Sequence, residues 1–222
     1  MFKTMKTMKS ISVPFLSSDH DKNILVYDEL WVTVPKYPID EVNWSNFPYK
    51  PDVRFSLAYS QTGIYLKFWV TEDGVRGLVM EDNGRVYTDS CVELFIDPSG
   101  DGTYYNFEFN CIGTLLLAHG ATRDNRKKAP ETVLSKILRS ASLGKEKTMQ
   151  EKGLCEWNLT SFIPYEAFFE HHIQSLSGKT VRANFQKCGD EMAVPHFITW
   201  NPIATPQPDY HRPEFFGELR FE

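Results

Sequence analysis

The chain has 222 residues, with 24 Lys and Arg against 29 Asp and Glu and a formal charge of −5. No basic excess exists to hold a phosphate backbone, so nucleic acid is excluded as the expected partner. A chain of this size buries roughly 70% of its unfolded surface without needing a metal or disulfide, and no stretch is long and apolar enough to predict a membrane span.

Residues 1–36 read as an irregular lead-in packed on the domain, with strands expected at Ile24–Tyr27 and Leu30–Val34. The opening MFKTMKTMKSISVPFLSS carries lysines but no apolar core segment, so no secretory signal is visible; localisation stays open between a cytoplasmic full-length chain and a mature exported one. Residues 37–222 are expected to form a single domain. Val53–Tyr59 alternates apolar and polar residues, turns through Ser60-Gln-Thr-Gly63, and continues into Ile64–Thr71, which predicts a hairpin. Glu72–Thr88 reads as a long loop.

Asp89–Asn110 is the clearest hairpin of the chain. Val92, Leu94 and Ile96 face one side of the first strand, and Tyr105, Phe107 and Phe109 face one side of the second. A common core for both sets places Val92 opposite Phe109, Leu94 opposite Phe107 and Ile96 opposite Tyr105. The other face then carries Glu93 directly opposite Glu108, with Asn106 and Asn110 beside them. Like charges so opposed are destabilising, which points to a cation, a polyhydroxylated ligand or a shared proton between them. A solvated face neutralised by nearby arginines is the plainer alternative.

Cys111–Gly113 is expected to turn into Thr114–Ala118, followed by a polar, basic loop over Gly120–Pro130 and a strand near Val133–Ser140. Lys145–Lys152 reads as a connection, Leu154–Leu159 as a strand, and Ile163–Phe169 as one short helix with Pro164 in its first turn. Lys179–Lys187 alternates again, with Val181, Ala183 and Phe185 inward and Arg182, Asn184 and Gln186 outward. Loops rich in proline run to Phe215–Phe221, which closes a sheet. Many short strands with one weak helix predict an all-β fold, an antiparallel β-sandwich of immunoglobulin-like or jelly-roll-like form.

Three polar rows thus result, the middle one on the hairpin: Arg54 with Ser56; Glu93 with Asn106, Glu108 and Asn110; and Arg182 with Asn184 and Gln186. If they share a sheet face, amide, guanidinium and carboxylate groups converge there, and these groups offer paired donors and acceptors suited to hydroxyl recognition. A sugar also needs an apolar platform, for which the loop aromatics Trp44, Trp200 and Tyr210 are candidates, with Tyr87 and Phe215 behind them; Trp69 and Trp157 are assigned to packing. Asp97 and Asp101, in the turn Asp97-Pro-Ser-Gly-Asp101-Gly, suit calcium, and an ordinary Asx-type turn accounts for them equally. His196 and His211 are candidate bases or ligands, and Met192 with His196 is the one pair near enough in sequence for haem. Four cysteines, Cys91, Cys111, Cys155 and Cys188, lack metal or disulfide spacing and read as free thiols. Asn43-Trp-Ser and Asn158-Leu-Thr match short glycosylation sequons.

The segments IDEVNW, VRFSLAYSQTGIYLKFWVTED, DSCVELFIDPSGDGTYYNFEFNCIG, NFQKCGD, HFITWNPI and RPEFFGELRF together resemble carbohydrate-binding module family nine, a DOMON-like group of β-sandwiches, over residues 37–222. The resemblance implies a non-catalytic domain that grips an oligosaccharide or polysaccharide at its end, in an aromatic cleft. It also implies calcium ions bracing loops and a glycan-degrading enzyme as partner. Trp200, the loop 74–88 with Arg85, and Trp44, Tyr210 or His211 would fall at that cleft. The alternative from the residues themselves is a glycoside hydrolase with Glu93 and Glu108 as its carboxylate pair, since opposed strand residues approach the retaining separation of about 5 Å.

Overall fold

The computed structural model describes residues 7–17 and 29–222. The strands in chain order are β1 (Ser10–Val13), β2 (Tyr37–Pro38), β3 (Glu41–Val42), β4 (Asp52–Tyr59), β5 (Gly63–Gly77), β6 (Cys91–Asp97) and β7 (Tyr104–Asn110). They continue as β8 (Leu115–Gly120), β9 (Lys127–Lys128), β10 (Leu138–Ala141), β11 (Thr148–Pro164), β12 (Thr180–Cys188), β13 (Phe197–Thr199) and β14 (Gly217–Phe221).

Two sheets form from them. One runs β1-β14-β12-β6-β7-β8-β9, with β13 beside β12 and β3 beside β13; the other runs β10-β11-β5-β4-β2. All pairings between named strands are antiparallel except β1 with β14. This is the expected β-sandwich. The β6–β7 register is also as expected: Val92 opposes Phe109, Leu94 opposes Phe107, Ile96 opposes Tyr105 and Glu93 opposes Glu108.

The sandwich core lies between these sheets. Leu94, Phe107, Leu117 and Phe185 come from one side and Phe55, Leu66 and Phe68 from the other. Phe55 stacks on Phe185 with ring centroids 3.6 Å apart, fixing the two sheets against each other. A second apolar layer covers the outer face of the first sheet, where Phe95, Tyr104 and Leu116 meet Trp44, Tyr210 and Phe216 from the loops. That second layer decides where a ligand can reach the sheet.

Several local expectations are corrected. Glu72–Gly77 is not loop but the continuation of β5, and β11 absorbs both Thr148–Lys152 and Leu154–Leu159 into one 17-residue strand. These two ends pair with each other, Thr148 opposite Gly77, through an irregularity between Gln150 and Leu154. Gly74 is required there: its φ is +77°, and a Cβ would sit 2.6 Å from the Glu151 carbonyl oxygen. Leu30–Thr33 is a helical turn rather than a strand, burying Trp31; Ile24–Tyr27 lies outside the described residues. Glu131–Leu134 is likewise helical, and only Leu138–Ala141 of the expected strand near 133–140 forms. The turn after Pro164 is 3-10, over Tyr165–Ala167.

Candidate functional site

The outward face of β6, β7 and β8 is the floor of a cavity of about 300 Å³. Glu93 and Glu108 form its centre, with Asn106 one step along β7. Side chains alternate along each strand, so Glu93, Glu108 and Asn106 point away from the sandwich core. The segments after β8, β12 and β13 raise the walls: Arg123 and Arg126 from the first, Asp190 from the second, and Asp209, Tyr210 and His211 from the third, with Phe197 at the start of β13 and Tyr87 also in the lining.

Burial sets the electrostatics. Glu93 is 2% and Glu108 4% exposed, and the Oε2 atom of each is buried with no hydrogen-bond partner among the described residues. Burial pushes Glu108 up to about 7. Burial and then the charge of Glu108 push Glu93 well above the usual carboxylate range. Asp190 stays exposed at the wall, and partial desolvation there raises it to about 6. Glu108 Oε1 accepts from the Asn106 amide at 2.7 Å. Arg126 donates from Nε and Nη2 to Asn106 Oδ1 at 3.0 and 2.7 Å, and its guanidinium lies 4.2 Å from the Tyr104 ring centroid. Arg126 also caps the carbonyls of Tyr104, Ala118 and Gly120, so it is held rigidly at the cavity edge. His211 Nδ1 meets the Tyr104 hydroxyl at 2.9 Å, and burial depresses its imidazole to about 3, leaving it neutral.

Six of the predicted site residues therefore meet at one cavity: Tyr87, Glu93, Asn106, Glu108, Tyr210 and His211. The others go elsewhere. Arg54 is on the opposite sheet, exposed and paired with Asp52, so the three polar rows do not share a face. Ser56, on the same strand, donates to the Pro35 carbonyl. Asn110 holds the bend after β7, donating to Asp89 and the Val79 carbonyl and accepting from the Thr114 amide. Asn184 clamps Asn201 through its carbonyl and amide. Arg182 donates to the Phe216 carbonyl.

Trp200 is sealed in the sandwich core, 2% exposed and edge-on to Phe55 and Phe185, so it offers no platform. Trp44 is buried behind Tyr210 and donates its indole N–H to the Thr205 carbonyl at 3.0 Å. Arg85 is exposed, donating to the Tyr87 hydroxyl at 3.1 Å and lying 3.8 Å from Glu191 outside the cavity lining. Phe215 is half-buried beside Arg212, away from the floor.

Asp97 accepts the amides of Ser99 and Gly100 on one oxygen and that of Gly102 on the other, while Asp101 accepts from Thr103 and faces His171 at 3.0 Å. Each oxygen of the pair already has a donor, which is the Asx-type turn. His196 is not free to ligate: Nε2 lies 2.7 Å from Lys187 Nζ and Nδ1 3.0 Å from the Val194 carbonyl. Met192 Sδ faces the Ser90 hydroxyl instead. The residues that sequence reasoning missed are Arg123, Arg126 and Asp190. The basic character of Gly120–Pro130 was the available signal for the first two. Asp190 gave none, because only the loop path after β12 brings it over the sheet.

A family model described as carbohydrate-binding family 9 matches residues 26–221. A crystal structure of a candidate carbohydrate-binding protein from Bacteroides uniformis ATCC 8492 is 41% identical, with a TM-score of 0.90 over 97% of this chain and 100% of that one. The same fold recurs at 16% identity in a carbohydrate-binding module family 9 protein from Caldicellulosiruptor kristjanssonii. Its glucose complex superposes with a TM-score of 0.58 over 96% of each chain. Its cellotriose complex gives 0.57 over 96% of this chain and 94% of that one. No curated protein matches the chain. With the matched model spanning nearly every residue from the lead-in to the last strand, the chain belongs to carbohydrate-binding family 9.

Proposed function

We propose that the protein binds an oligosaccharide or polysaccharide, without cleaving it, in the cavity above Glu93 and Glu108. One observation carries the reading: two opposed buried carboxylates each keep an oxygen without a partner at the floor of an open cavity. A buried acceptor left unmade costs about 1–3 kcal/mol, and ligand hydroxyls are donors of the right reach. Asn106 and Arg126 add fixed donors and acceptors around it, and Asp190 adds a carboxylate at the wall. The half-buried rings of Tyr87 and Phe197 take the platform role in place of Trp200 and Trp44.

The cavity lies at the small end of the range of about 300–1,000 Å³ for ligand pockets. That size suits a terminal sugar unit better than the middle of a long chain. By family likeness, binding would serve glycan degradation beside a partner enzyme.

Isothermal titration against a panel of short oligosaccharides tests the reading. Saturable binding that falls about tenfold or more in Asp190→Asn or Tyr87→Ala is expected. Silence across the panel, or affinity indifferent to both substitutions, overturns it. A hydrolase with the same two glutamates would instead release new reducing ends, and Glu108→Gln would abolish that release while sparing binding.

A further inference from the structure

At the base of the cavity, β6 and β12 bring two thiols and a carboxylate together. Cys91 and Cys188 are register partners on these adjacent strands, and Glu93 follows Cys91 by two residues on the same face. Cys188 Sγ is 3.1 Å from Glu93 Oε1, and Cys91 Sγ is 3.9 Å from the same oxygen. One donor atom of each residue falls within 4.8 Å of the other two, and all three residues are buried. A tetrahedral ion held about 2.3 Å from sulfur and about 2.0–2.2 Å from oxygen sets its ligand atoms about 3.5 Å apart. The two sulfur–oxygen separations bracket that value.

A second observation points to a missing occupant. Glu93 Oε2 has no partner, and Gln186, the register partner of Glu93 on β12, has both amide atoms buried without one. Free thiols packed as small apolar groups would explain the cysteines. They leave unexplained the second oxygen of the same carboxylate, Glu93 Oε2, and the buried Gln186 amide, neither of which has a partner. Cys188 and Glu93 both line the cavity, which supplies an entry path and an open coordination position. Two sulfurs with one carboxylate favour a thiophilic ion such as zinc over calcium or magnesium.

We propose that Cys91, Cys188 and Glu93 bind a thiophilic divalent cation, with zinc as the fitting ion and its fourth position facing the cavity. On binding, the two thiols and the Glu93 carboxyl release their protons to solvent and coordinate as two thiolates and a carboxylate. The positive ion then lies beside the opposed pair Glu93 and Glu108, where the sheet otherwise sets like charges face to face. This site stands on the thiols and does not depend on the saccharide reading.

The test is titration of the reduced 222-residue chain with cobalt(II), which reports thiolate ligation by a sulfur-to-metal charge-transfer absorption. One equivalent should saturate the band, and zinc should displace it. Cys91→Ser and Cys188→Ser should each remove it, Cys155→Ser should keep it, and Glu93→Gln should weaken binding by more than about tenfold. Circular dichroism checks that each variant folds. Zinc-edge anomalous scattering from zinc-soaked wild-type crystals gives a reading independent of any variant, with a peak expected between the two sulfurs. Absence of the band in wild-type protein, its survival in the double serine variant, or a peak only elsewhere would overturn the proposal.

Discussion

Glu93 and Glu108 face each other as direct register partners on β6 and β7, each with one buried carboxylate oxygen that no described residue satisfies. Their burial depends on the loops 120–126 and 188–211, which wall the sheet face that the strands alone would leave open. The pair therefore carries a proton at pH values where an exposed carboxylate would have lost it.

Stability should register that proton. Glu108 titrates at about 7 when folded, against about 4.3 unfolded. Between those values the folded state binds more protons, so this contribution is fully present below about pH 4 and is lost as pH rises through 7. Replacing Glu108 by Gln removes the dependence. In EDTA-treated protein the melting temperature of the variant relative to wild type should climb by about 5 °C from pH 5 to pH 8. A difference that stays constant or shrinks over that range contradicts the assignment.

Aromatic roles separate cleanly by measurement. Trp200→Ala should destabilise the protein by about 3–5 kcal/mol, because a core indole edge-on to two phenylalanines is deleted. Tyr87→Ala should leave the melting temperature nearly unchanged and lower saccharide affinity. Denaturant unfolding and calorimetric binding on both variants provide the check; the reverse pattern would restore Trp200 as the platform.

Inside the sandwich, Lys187 and Glu72 form a fully buried ion pair at 2.8 Å, with Trp157 donating to the second Glu72 oxygen at 2.7 Å. Lys187→Met should cost about 3–5 kcal/mol, since it strands a buried carboxylate. Adding Glu72→Gln, which keeps an acceptor for Trp157, should recover part of that loss. Urea denaturation of the single and double variants measures both.

The Asp97 turn makes a contrasting prediction. Its oxygens accept three backbone amides, so calcium addition should leave the melting temperature unchanged. Asp97→Ala should lower stability by about 1–3 kcal/mol through the donors left unpaired. A calcium-dependent rise in melting temperature that Asp97→Ala abolishes would favour the metal instead.

How much was legible in the sequence follows the physics of each element. The central hairpin could be read down to its register, because one face alternates without interruption and a slip by one residue would expose Leu94 and Phe107. The far ends of β5 and β11 could not: EDGVRG and TMQEKG lack alternation, and their strand state comes from pairing with each other across the sheet. The polar rows of β6, β7 and β12 were correctly joined, but Arg54 was not separable from them, since alternation names a face and never the sheet to which it belongs. Trp200 turns into the core, against expectation, because a loop tryptophan carries no sequence signal of inward rotation. Gly217 does accommodate it, a Cβ there lying 2.5 Å from the indole, but that contact spans residues distant in the chain.

Diffraction from crystals soaked in a mixed oligosaccharide pool tests the central claim most directly. The account predicts a sugar ring in the cavity, with hydroxyls within hydrogen-bond distance of Glu108 and of Asn106, Arg126 or Asp190, and one face against Tyr87 or Phe197. A saccharide bound only on the outer face of the other sheet, or anywhere clear of the Glu93–Glu108 pair, would contradict it.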